Sequence, residues 1–380
     1  MTIRCVALLG WAIVAVRAGN PDARWTVEQF AAAAGVPCER HDATTFDNGS
    51  PLLVHRFPHP GSPAVVLQHG LFDTSATWVL NGPSESLGFL LYSAGFDVFL
   101  ANARGNSYSG PPFSWDFTWD DHARYDIPAV LALVTRVTGG RPPLGLVAHS
   151  QGGTATLAWM SQLQSGGAAV PRYLALLAPV GFLAHQQSKL MAAMAQFRVD
   201  NSLNFLSPGP FSFNSPVAKS LLTSVCGALH DLCHDIAGAL FGPPIACNVS
   251  RTDVYAGHWP DVTSNRNLAQ WIANARTGAF AFRDGTPVNV SLPDVDAGGP
   301  SVVEIYGGVQ DLLSDPQDLQ MLAGRLGYGS GRVSGNLTTQ YSHMGFTWSY
   351  SLMDDVYGPM LKTLHSLRTA AGTGAAAASA

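Results

Sequence analysis

The sequence predicts an α/β protein, a mainly parallel sheet with helices on both faces, interrupted by an inserted cap or lid domain. Three features carry that expectation. Short apolar stretches occur at 64–67 (AVVL), 97–100 (DVFL), 144–148 (LGLVA) and 173–177 (YLALL), and strands that do not alternate with polar residues belong to sheets covered on both faces. Segments with helical spacing lie between them, at 86–94 and 127–138, which gives the strand–helix alternation of a parallel sheet. After an irregular middle rich in Phe, Met, Pro and Cys, the alternation returns with a strand candidate at 301–306 (SVVEIY) and a closing helix at 354–367.

At 380 residues the chain exceeds the roughly 150-residue norm for one domain, so one large domain with an insertion, or at most two domains, is expected. A hydrophobic content of 47% against 12% charged residues excludes a disordered chain and a coiled coil. With 21 Lys+Arg against 26 Asp+Glu there is no basic excess for a nucleic-acid partner. Sparse charge implies a relatively apolar surface, suited to work at a lipid interface.

Residues 1–18 read as a signal peptide. Arg4 is the basic region, 5–16 the apolar run, and Val16, Arg17 and Ala18 a small-x-small cleavage site. That run is shorter than the ~20 residues a membrane span needs. The core is expected to occupy 19–183 and 300–368, the cap and lid insertion 184–299, and a disordered Ala/Gly/Ser tail 369–380. Cleavage leaves Cys38, Cys226, Cys233 and Cys247, of which the last three crowd into one segment, so one bridge is expected there with the pair left open. Sequons at Asn48, Asn248, Asn289 and Asn336 fit the same secretory route, to the outside or to a lysosome or vacuole.

The segment LGLVAHSQGGTATLAWM carries the chemistry. An apolar strand runs into Ala148, His149, Ser150, Gln151 and Gly152 and directly into a helix, the pattern of a nucleophile elbow. The turn is tight enough that the positions two before and two after the serine must be small, and Ala148 and Gly152 are. It lifts Ser150 Oγ to a helix N-terminus, where N–H groups favour developing negative charge. The competing structural role is a simple helix N-cap, a position serine favours. In a fold of this kind an acid and then a histidine follow the serine along the chain. Asp311, after the late strand, and His343, before the closing helix, stand in those places, with Asp315 and Asp318 as rival acids. His343 would take the proton from Ser150 and return it to the leaving alcohol, while Asp311 would fix the imidazole. The loop at His69, Gly70 and Leu71 would supply one oxyanion N–H from Leu71, and Gln151 the other. His69 itself is expected to brace the loop, and Arg104, Gly105 and Asn106 to form a hydrogen-bonded brace below the site.

The stretches LQHGLFDTSATWVLNGPSESLGFLLYSAGFDVFLANARGNSYSG, SWDFTWDDHARYDIPA and AHSQGG, with NVSRTDVYAGHWP, YGGVQDLLSDP and SHMGF further on, resemble the acid lipase family, the gastric and lysosomal acid lipases and their plant, fungal and algal relatives. The likeness extends from about residue 27 to 362 and is loose across the cap. It implies an α/β-hydrolase fold with a lid-bearing cap, and a serine hydrolase acting on triacylglycerols or steryl esters with neither metal nor other cofactor. It maps the nucleophile to Ser150, the acid to Asp311, the base to His343 and the oxyanion donors to Leu71 and Gln151. Three departures stand out. Ala148 replaces the first glycine of the family's Gly-His-Ser-Gln-Gly, Gln310 is an extra residue in the acid loop, and Gly345 replaces a carboxylate two residues past the base.

The insertion holds Phe197, Phe205, Leu206, Phe211, Phe213, Leu221, Leu222, Leu240 and Phe241, which suit a small buried core or the inner face of a mobile lid. The resemblance places a lid near 201–247. The run from His230 to Asp235 looks metal-like, but its ligand set is incomplete and a polar turn beside a disulfide accounts for it. The leading expectation is therefore a lipase whose partner is a lipid ester at a lipid–water interface, with peripheral contact to lipid surfaces and no obligate protein partner. The alternatives are a catalytically silent lipid-binding protein, or an acyltransferase or peptidase on the same scaffold.

Overall fold

The apolar runs become the middle of one sheet. The computed structural model describes residues 19–163, 170–212, 214–295 and 299–378. In chain order the strands are β1 (Glu39–Thr44), β2 (Pro51–Phe57), β3 (Ala64–Gln68), β4 (Asp97–Ala101), β5 (Gly145–His149), β6 (Tyr173–Leu177), β7 (Pro210–Phe211), β8 (Thr263–Ser264), β9 (Val302–Gly308) and β10 (Val333–Thr339). The main sheet runs β1-β2-β4-β3-β5-β6-β9-β10, while β7 and β8 pair apart from it. From β4 across to β10 all pairings are parallel, and β1 and β2 form an antiparallel edge.

Every residue of β3, β4, β5 and β6 is buried, the physical reason those strands lack polar alternation. Val66, Phe99, Leu146 and Ile305 belong to the core on one face, under the helices Ile127–Val137 and Gln151–Ser161. Val65, Val98, Val147 and Leu177 belong to the core on the other, with Leu91 of the helix Leu87–Ser93 and Met360 and Leu364 of the closing helix. The helix expected at 86–94 is thus Leu87–Ser93 and that at 127–138 is Ile127–Val137. The edge strands β1 and β10 are half exposed and polar in composition, which hid them in the sequence.

Between β6 and β9, neighbours in the sheet, the chain forms the helices Lys189–Gln196, Val199–Phe205, Pro216–Ala228, His230–Phe241, Thr252–His258 and Asn265–Thr277. A Cys226–Cys233 disulfide joins the third and fourth of these; Cys38 and Cys247 are free thiols. The stretch 369–380, expected as a disordered tail, is helical as far as Ala378. Alanine has the highest helix propensity, and a helix already begun at Gly358 needs no new nucleus. The signal-peptide expectation at 1–18 lies outside the described residues. No helix among the described residues is long and apolar enough to cross a membrane.

Candidate active site

Ser150 sits between β5 and the helix Gln151–Ser161 with φ 52° and ψ −123°, a strained backbone for a residue with a Cβ, costing on the order of 1–3 kcal/mol. Its neighbours hold it there. The Ser150 N–H donates to the Leu177 carbonyl at 3.0 Å, and the Ser150 carbonyl accepts the Thr154 N–H at 3.1 Å. A Cβ at position 152 would stand 2.6 Å from the His69 carbonyl oxygen, and one at 70 would stand 2.9 Å from Ser150 Cβ, so both glycines are required by close approach. Ala148, where the family has glycine, is fully buried in β5 opposite Gln68 and Leu176; the sheet accommodates its methyl.

Ser150, Asp311 and His343 converge from the C-terminal ends of β5, β9 and β10. His343 Nε2 lies 2.7 Å from Ser150 Oγ, and His343 Nδ1 lies 2.9 Å from Asp311 Oδ2. The other Asp311 oxygen accepts the N–H groups of Leu313 and Ser314, both at 2.8 Å. A carboxylate only accepts, so Nδ1 carries the proton and Nε2 offers its lone pair to the serine hydroxyl. All three side chains are buried. The rival acids are engaged elsewhere. Asp315 caps the helix Pro316–Arg325 through the Gln317 N–H and takes Gln187 Nε2, whereas Asp318 holds the backbone and ring N–H of His185. The extra residue Gln310 leaves Asp311 in reach of the imidazole.

Leu71 follows β3 beside Gly70, whose backbone touches Ser150, and Gln151 opens the helix after it. The Gln151 side chain is held away: its Oε1 accepts Asn267 Nδ2 at 2.9 Å and Trp271 Nε1 at 2.6 Å, and its Nε2 lies 3.3 Å from His122 Nδ1. Sequence reasoning missed these three partners, since nothing local ties residue 151 to residues 122, 267 and 271. His69 braces the loop as expected, with Nδ1 on the Gly70 carbonyl and Nε2 accepting the Ala103 N–H at 3.1 Å. Burial holds its pKa down to about 4, so the ring is neutral. Arg104 is buried between Asp126 and Asp47, and Asn106 Nδ2 reaches His69.

Ser150 and His343 open onto a cavity of about 750 Å³, a volume in the range of small-molecule sites. Its walls are apolar and come largely from the inserted helices, among them Leu190, Met191, Leu221, Leu222, Val225 and Leu240. Asp73 is the one carboxyl that lines the cavity among the described residues, and burial lifts its pKa to about 7. A second, smaller cavity of about 150 Å³ shares the Leu222, Phe241, Trp259 and Met344 walls. In the run 230–235, Cys233 is bridged to Cys226 and His234 Nε2 meets Thr252 Oγ1 at 2.6 Å.

Comparison with known proteins agrees with this geometry. The model of the alpha/beta hydrolase fold matches residues 63–346, and that of a partial alpha/beta-hydrolase lipase region matches 27–82. The chain is 31% identical to the Caenorhabditis elegans lipase lipl-1 over 95% of this chain and 96% of the relative, and 31% identical to rat gastric triacylglycerol lipase over 91% and 93%. The chain belongs to the α/β-hydrolase lipase family. Human gastric triacylglycerol lipase stands at 30% identity, covering 91% of this chain. Solved structures share the fold of this lipase-family member: a lipase in its open form at TM-score 0.54 and 16% identity, covering 87% of this chain and 99% of that one, and a thermophilic esterase from Thermogutta terrifontis at TM-score 0.50 and 14% identity, covering 87% and 99%. As a member of the family the protein is an ester hydrolase of the lipase class.

Proposed function

We propose that Ser150, His343 and Asp311 are the catalytic triad of an enzyme that hydrolyses long-chain neutral lipid esters, triacylglycerol foremost. The observation that carries this reading is the unbroken hydrogen-bond chain from Asp311 through His343 to Ser150, opening on an apolar cavity large enough for acyl chains. Ser150 Oγ attacks the ester carbonyl as His343 Nε2 takes its proton. The tetrahedral oxyanion is held by the backbone N–H groups of Leu71 and Gln151. His343 returns the proton to the leaving alcohol and then activates the water that frees the fatty acid. Asp311 keeps the imidazole tautomer fixed and stabilises its cation.

The helices of 184–299 serve as a cap, and those flanking the Cys226–Cys233 bridge as its lid. Their residues Leu190, Leu221 and Val225 line the cavity and also face solvent, so the substrate's entrance is apolar and suited to a lipid surface. The disulfide and the sequons support export through the secretory pathway. The test uses emulsified triacylglycerol and a fluorophosphonate probe. Ser150→Ala is expected to lose turnover by at least about 10³-fold and to lose labelling while its unfolding transition is kept; a folded Ser150→Ala that still hydrolyses at the wild-type rate refutes the assignment.

A further inference from the structure

The backbone of His343 is gripped from two sides by residues outside the trio. Its N–H donates to the Phe241 carbonyl at 3.1 Å, and its carbonyl accepts His149 Nε2 at 3.0 Å. The rings of the same two residues flank the imidazole, His149 at 5.2 Å between centroids and Phe241 at 6.0 Å and nearly parallel. The Phe241 carbonyl also accepts the N–H of Leu312, the residue after Asp311, at 3.4 Å. One carbonyl therefore ties the loop of the acid to the loop of the base.

Phe241 ends the helix His230–Phe241, and Gly242 after it has φ 97°. A Cβ there would overlap the Gln310 carbonyl and stand 3.0 Å from Ser342 Cβ. Only glycine lets the helix end wedge between the two loops, and the loop it meets is the one carrying the extra residue Gln310. On the other side, His149 is 1% exposed. Burial lowers its pKa to about 3, so the ring is neutral. Its partner is a carbonyl, which fixes the proton on Nε2 and leaves Nδ1 without a hydrogen-bond partner among the described residues. An apolar ring would fill this space without leaving a polar nitrogen unpaired. The imidazole is thus accounted for by the one bond it makes to His343.

We propose that His149 and Phe241 are positioning residues that hold the His343 imidazole in reach of Ser150 and Asp311, and that the helix ending at Phe241 fixes the base from the cap side. This rests on the reading of His343 as the base. Rates fall steeply when a reacting group is misplaced by about 1 Å, so the grip acts on turnover rather than on substrate binding.

The test compares His149→Phe, which keeps a ring and loses the donor, with His149→Gln, which keeps an N–H at similar reach, and adds Gly242→Ala. Each is assayed on a soluble short-chain ester for kcat and KM, and for the rate of fluorophosphonate labelling, with thermal unfolding to establish folding. His149→Phe is expected to lose about tenfold in kcat and in labelling rate with KM within about twofold, His149→Gln to recover to within about threefold of wild type, and Gly242→Ala to fall in kcat like the phenylalanine variant. Equal loss in the Phe and Gln variants, or wild-type kcat in a folded His149→Phe, overturns the role of His149. Wild-type kcat in a folded Gly242→Ala overturns that of the helix end, which remains open to test even where His149→Phe does not fold. An active Ser150→Ala would instead remove the triad reading beneath both.

Discussion

The parallel sheet and the helices inserted between β6 and β9 meet at the same cavity but differ in how completely they bury their apolar side chains. In the sheet, Phe99, Val147 and Leu177 are fully buried, and large apolar side chains stabilise the fold. In the insertion, Leu268, Trp271 and Ile272 are buried, but Phe205 is 90%, Phe197 76% and Leu221 65% exposed. The difference teaches that apolar residues do two jobs in this chain. Those in the sheet exclude water to hold the elbow rigid, whereas many in the insertion stay exposed, as the proposed work at a lipid surface requires.

The sharpest way to break this contrast is to truncate each region. Phe99→Ala in β4 is expected to cost about 3–5 kcal/mol in denaturant unfolding; a loss below about 1 kcal/mol would mean that the sheet is not the rigid partner. Next in size is the pH response of the core's buried ionisable groups. His122 is held down to about 3 by burial and by the nearby Arg104. Its contribution to stability is therefore present above its ordinary pKa of 6.5 and is lost as pH falls toward the lowered value. Between pH 7 and pH 4 that amounts to about 3 kcal/mol at most, and His122→Phe should narrow the stability difference between those pH values. Asp73 has the opposite sign. Burial raises it to about 7, so its contribution is present below 3.8 and lost as pH rises through 7. Asp73→Asn should therefore gain stability over the wild type at pH 8 and not at pH 4, as read from urea midpoints.

Smaller effects belong to the insertion. Replacing both Cys226 and Cys233 by serine opens a short loop and should cost about 2 kcal/mol. That loss should be felt in protease resistance of the two bridged helices more than in unfolding of the sheet. Smallest of all, Phe205→Ala should change stability by no more than about 0.5 kcal/mol while weakening adsorption to a triacylglycerol emulsion. Unchanged adsorption would remove the proposed role of the exposed apolar residues.

Much of the core was legible because its signals are local. A short apolar run bounded by turn residues suits a strand covered on both faces, and β3, β4, β5 and β6 lie within a residue of where the sequence put them. The serine, with Ala148 two residues before it and Gly152 two after, specified its own turn by sterics. The polar edge strands β1 and β10 gave no such signal, since a half-exposed edge tolerates Asp, Asn and Ser as readily as a loop does. The alanine-rich end carries no apolar periodicity, since methyl side chains mark no face, although alanine's helix propensity is high.

The sequence by itself determined the buried middle strands of the sheet, the elbow at Ser150 and the chain order of serine, acid and histidine, the strands and the elbow being set by sterics and hydrophobicity within a few residues. Tertiary structure decided what depends on approach between segments distant in the chain: which of Asp311, Asp315 and Asp318 meets the imidazole, that Asn267 and Trp271 hold the Gln151 side chain aside, and that His149 and Phe241 close on His343 from opposite sides. Those contacts follow from where the strands deliver their loops and where a helix ends between them, and short-range sterics carries no record of either.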